Sequence, residues 1–149
     1  MLNRRQVVMG ALLAVGAGAR PAPADAQDYW LNQVRVSKPW APPTRNGSRT
    51  GEVYMVIENR GPDLNRLVAV ETPVAERVTF ADEEPRGTIE TLAYIDLRAR
   101  REIALRPGRV HLKLDGLKQS LTKGGTFPLT LVFANRQKLE VRVDVDDRG

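Results

Sequence analysis

No cysteine occurs in this chain of 149 residues, and His111 is its only histidine. The absence of thiols excludes disulfides, thiolate metal sites and thiol redox chemistry, so the fold must be held by burial alone. Aromatic residues are scarce at 5%, which leaves the core to Val, Leu and Ile. There is no cysteine nucleophile, no Gly-x-Ser-x-Gly elbow and no phosphate-cradling glycine loop. No residue set for catalysis can be assembled, and the chain is expected not to be an enzyme. The acidic tail Asp144, Asp146, Asp147 lacks the turn glycine and distal glutamate of a calcium loop.

The one apolar run, Val7–Ala19, is too short to cross a bilayer comfortably. It follows Arg4-Arg5 and precedes Ala24-Asp25-Ala26, a small-x-small cleavage pattern. Residues 1–26 therefore read as an export signal, of twin-arginine or general secretory type, cleaved after Ala26. Residues 27–149 read as one domain in the periplasm, with no stable membrane span after cleavage. Three of the 23 basic and one of the 18 acidic residues precede Gln27, so the remainder carries +3. An exported domain so nearly balanced is not expected to bind nucleic acid.

What is present is period-two alternation. Val34-x-Val36, Glu52–Asn59, Leu64–Glu71, Arg77–Ala81, Thr88–Leu97, Glu102–Leu105, Arg109–Leu114, Phe127–Phe133 and Lys138–Val145 read as strands. Residues 39–51, PWAPPTRNGSRTG, read as a loop. Val53, Met55 and Ile57 share one face; Leu67, Val68 and Val70 share another after a change of phase. The pattern implies an all-β sandwich. Trp40 is expected to be a packed anchor, and Trp30 a candidate docking residue.

Four segments carry a resemblance. SKPWAPPT (37–44) resembles AWARATPPG, GEVYMVIENRG (51–61) is close to GAVYLTIENRG, and PVAERV (73–78) is similar to SPVAERVELHE. PGRVHLKLDGLKQSLTKGGTFPLTLVF (107–133) is similar to PGGYHLMLMGLKQPLKEGDSFPLTLTF. These are patterns of the periplasmic copper chaperones known as PCu(A)C, and the chain resembles that family over nearly all of residues 27–149. The resemblance implies a cupredoxin-like or immunoglobulin-like Greek-key β-sandwich, and a Cu(I) site of two histidines and two methionines. Carried onto this sequence, the ligand positions are Ala81, Ile89, His111 and Lys113, of which only His111 is a ligand type. Residues 82–110 contain no Met or His that could replace Ile89.

Alternation turns Val110, Leu112 and Leu114 inward and His111 and Lys113 outward, side by side. An exposed lysine is a cation and repels copper. Asp82 and Glu83 are the expected charge partners of Lys113. Asp82-Glu83-Glu84 before Pro85 otherwise reads as a solvated turn, and Met55 as core.

Two readings follow. In the first, the usual Cu(I) site is lost, no cofactor is carried, and the protein is an accessory in metal handling. It would act through contacts with a periplasmic copper or oxidase-assembly protein. In the second, it is a genuine copper chaperone delivering copper to cytochrome oxidase, with a site rebuilt around His111.

Overall fold

A computed structural model describes residues 28–148, so the expected export segment lies outside the described residues. Eleven strands follow one another: β1 Asp28–Leu31, β2 Val34–Ala41, β3 Thr50–Asn59, β4 Asn65–Glu71, β5 Ala75–Glu83, β6 Ile89–Leu92, β7 Ile95–Leu97, β8 Arg101–Leu105, β9 Val110–Leu117, β10 Thr126–Phe133 and β11 Lys138–Val145. No helix occurs among the described residues. The hydrogen-bonded order is β6-β5-β9-β3-β2-β11-β10-β4-β7, with β1 added to β2 and β8 to β3. Pairs between strands remote in sequence, β3 with β9, β2 with β11 and β4 with β10, give the sheet its Greek-key character and curl it around one core.

The long strand β3 organises the candidate site. One edge pairs with β2; the other pairs first with β9, through Thr50–Val53, and then with β8, through Met55–Asn59. Val53, Met55 and Ile57 point inward and are buried, as their alternation requires. They meet Leu112 and Leu114 of β9, Leu129, Leu131 and Phe133 of β10, and Val141, Val143 and Val145 of β11 in one cluster. Each such aliphatic side chain contributes about 1.5–3 kcal/mol on burial. With few aromatics available, most of the stabilisation comes from this set.

Asn59 closes one end of β3. Its Nδ2 donates to the carbonyls of Asp63 and Leu97, both at 2.8 Å, and its Oδ1 accepts from the Gly61 N–H at 3.0 Å. Asn59 thus ties β3, the following turn and β7 together in a buried position where unpaired amides would be costly.

Three expectations about the strands need correction. Residues 39–51 are not all loop: β2 continues through Trp40 to Ala41 by way of a bulge. The bulge is made by Lys38, held at φ 53°, which lets Pro39 turn inward within a strand. Val68 is exposed rather than core, because the β4–β10 register shifts at Val132/Phe133 and turns both Leu67 and Val70 inward. Strand β1, which carries Trp30, was not expected from the sequence pattern.

Candidate functional site

The sequence-derived ligand positions fall on one face of the sheet formed by β6, β5, β9 and the first half of β3. Ala81 of β5 is the register partner of His111 on β9, and Thr91 of β6 is in turn the partner of Ala81. Lys113 lies two residues along β9 from His111, opposite Thr79 on one side and Glu52 on the other. Ile89 lies on the edge strand β6, opposite Glu83, and is exposed. The topology brings Ala81, His111 and Lys113 together and places Ile89 at the rim.

His111 does not stand out in solvent. It is only 2% exposed, although its neighbour Leu112 points to the opposite, core-facing side. Alternation assigns the face of the sheet correctly but does not reveal what covers it. The cover is Tyr54 of β3, whose ring centroid lies 5.8 Å from that of His111. Trp40 backs Tyr54 at 5.0 Å, and the Arg148 guanidinium sits 5.7 Å from the Trp40 ring centroid. Trp40 is therefore a half-buried anchor of this stack. Trp30, by contrast, is exposed, with the guanidinium groups of Arg35 and Arg60 near its ring.

Both ring nitrogens of His111 face protein groups. Nδ1 lies 2.7 Å from the Arg109 carbonyl, and Nε2 lies 3.7 Å from Glu52 Oε1. A carbonyl can only accept, so the proton of the neutral ring belongs on Nδ1 and the lone pair on Nε2. The other carboxylate oxygen, Glu52 Oε2, accepts the hydroxyl hydrogen of Tyr54. Burial, followed by the hydrogen bond and the negative charge of Glu52, pushes the Tyr54 phenol above its ordinary value. Tyr54 therefore stays a neutral donor and holds Glu52 against the histidine.

The expected partners of Lys113 are corrected. Its Nζ pairs with Asp115 Oδ1 at 3.6 Å, on the same strand and the same face, and not with Asp82 or Glu83. Asp115 is in turn reached by the Thr79 hydroxyl at 3.5 Å. An i, i+2 carboxylate on a strand is a nearer neighbour than the end of β5, where Asp82 opposes Val110 rather than Lys113.

Sequence reasoning missed Glu52 and Tyr54. A signal for Glu52 was present: residues 51–61 read G-E-V-Y where the resembling pattern reads G-A-V-Y. A carboxylate thus replaces a methyl group beside the histidine. The groups gathered here are one imidazole, one carboxylate and one ammonium, the last with no lone pair to offer a metal. Cu(I) is soft and favours thioether, thiolate and imidazole, so this set does not fit it. Met55, the only methionine among the described residues, is buried on the core side of β3. No group of three or more His, Cys, Asp or Glu among the described residues could hold a metal ion.

With this geometry established, comparison with known proteins gives a consistent picture. A family model described as lipoprotein LpqE-like matches residues 34–145. No curated protein matches the chain. Among solved structures, the chain is similar to the copper-bound PCuAC domain from PmoF2, with a TM-score of 0.71 and 20% identity over 80% of this chain and 97% of that one. It is similar to the apo PCuAC domain from PmoF1, with a TM-score of 0.72 and 24% identity over 80% and 98%. It is also similar to the solution structure of CuI-DR1885 from Deinococcus radiodurans, with a TM-score of 0.63 and 25% identity over 84% of each chain.

Proposed function

This chain belongs to the LpqE-like family of PCuAC-like copper-chaperone domains, and from that premise we propose that it keeps the chaperone scaffold but not the Cu(I) site. It works as an accessory in metal handling, through contacts with a periplasmic copper or oxidase-assembly protein. The family is one of chaperones, not enzymes, so the role proposed is one of contact and not of catalysis.

The observation that carries this reading is the state of His111. The retained ligand is covered by Tyr54, its Nδ1 is committed to the Arg109 carbonyl, and its Nε2 faces Glu52. The other three ligand positions hold Ala81, Ile89 and Lys113. A cation beside the site adds repulsion to the missing donors. The same burial weighs against the rebuilt-site reading, since a partner's ligands would have to reach an imidazole only 2% exposed.

The test is a Cu(I) titration of the full chain against a competing chelator, beside His111→Ala. The proposal expects no stoichiometric competition by either protein. Tight binding by the wild type that His111→Ala abolishes would overturn it and establish the rebuilt site.

A further inference from the structure

Two strand edges flank one groove with no strand between them among the described residues. Among the described residues, strand β7 pairs only with β4 and β8 only with β3, so each leaves its other edge without a partner there. They are joined by a tight turn in which the Arg101 N–H donates to the Arg98 carbonyl at 3.2 Å. The groove is lined by Asp96, Leu97, Arg98, Arg101, Glu102 and Ile103. Such an edge presents backbone donors and acceptors to any extended chain.

The groove holds two acids, Asp96, which is paired with Arg66, and Glu102, but the stretch from the turn through β8 to the start of β9 is predominantly basic. Arg98, Arg100, Arg101, Arg106 and Arg109 fall within residues 98–109 against the single acid Glu102, a local excess of +4 in a chain of +5. Arg98, Arg100, Arg101 and Arg106 are all exposed, and none has a carboxylate within 4.0 Å among the described residues. Five other arginines do meet acids, among them Arg35 with Asp28 at 2.8 Å and Arg66 with Asp96 at 2.8 Å, so the mark of this stretch is how closely its arginines are spaced. Arg100 is moreover held at φ 59°, a conformation that a long side chain rarely adopts.

We propose that the outer edge of β8 receives an extended acidic segment of a partner polypeptide as an added strand. Backbone hydrogen bonds supply the pairing, half-buried Ile103 the apolar contact, and the arginines the selection for carboxylates. A second copy of this chain is a poor occupant, because two β8 edges would bring the same arginines together. The inference rests on the reading that the domain works through protein contacts, and it supplies the chemistry of the partner. It uses neither His111 nor Glu52, so a copper result that sinks the proposed function leaves this test readable.

The probe is a short synthetic peptide alternating valine and glutamate. Its controls are the lysine-for-glutamate peptide and the same acidic peptide N-methylated at alternate amides. Hydrogen exchange of the full chain is followed with and without each peptide. The expected result is that only the unmodified acidic peptide slows exchange of amides in residues 101–105, by about tenfold or more at saturation. Arg98→Glu/Arg101→Glu should weaken that peptide at least about tenfold. No protection, protection at another edge, or equal binding of the N-methylated peptide would overturn strand addition. Protection of β8 that grows with protein concentration alone would assign the edge to a second copy and overturn the proposal as well.

Discussion

Glu52 lies directly across the β3–β9 ladder from Lys113, and both residues depart from the patterns that the rest of the chain resembles. One change brings a carboxylate to the histidine; the other puts an ammonium group where a thioether would stand. Together they surround His111 with a small network of hydrogen bonds and charges.

If the proposed loss of the Cu(I) site is right, undoing both changes should restore copper binding. Glu52→Ala/Lys113→Met removes the carboxylate that crowds His111 Nε2 and places a thioether two residues along the same face. The double variant is expected to bind Cu(I) at least about tenfold more tightly than the wild type. Chelator competition measures this directly; equal, negligible binding would show that the two substitutions are not what blocks the metal.

Lys113 itself should matter little to stability. Its contact with Asp115 is 3.6 Å long and its side chain is 41% exposed, so solvent screens the pair. Lys113→Met should change unfolding free energy by about 0–1 kcal/mol, read as a small shift in Tm. A large loss would mean that the ammonium group holds the site together.

Asn59 should matter much more. Asn59→Ala removes both donors to the Asp63 and Leu97 carbonyls and the acceptor for Gly61. The expected cost is about 2–3 kcal/mol, from buried backbone groups left without partners. Denaturant unfolding gives this number, and a change below about 0.5 kcal/mol would contradict the role assigned to Asn59.

Tyr54 predicts a particular dependence on pH. Its folded pKa is raised, so the folded state holds the phenol proton more firmly than the unfolded chain does. That contribution is fully present below the unfolded value of about 10 and is lost as pH rises from there through the raised folded value. Tm should therefore fall above about pH 10, and Tyr54→Phe should make that fall shallower. A wild type and variant with parallel alkaline profiles would exclude Tyr54 as its source.

The all-β fold was legible because alternation is a local signal. Val53-x-Met55-x-Ile57 and Leu129-x-Leu131-x-Phe133 state their buried faces without reference to the rest of the chain. The bulge at Lys38 and the register shift opposite Val68 were not legible, since each depends on the partner strand. The site divided in the same way. Spacing along β9 put His111 and Lys113 on one face, and alignment put Ala81 beside them. The burial of His111 depends on Tyr54, more than fifty residues away in sequence, and no period-two pattern carries that contact. Glu52 was visible only as a departure from the resembling pattern, and its meaning emerges when β3 is laid beside β9.

The central claim is that His111 is a structural residue bound to its neighbours and not a copper ligand. Imidazole nitrogen NMR of the full chain tests it most directly, recorded before and after one equivalent of Cu(I). The account predicts a ring protonated at Nδ1, with Nε2 unmoved by the metal. A copper-dependent shift of Nε2 at stoichiometric loading would contradict it.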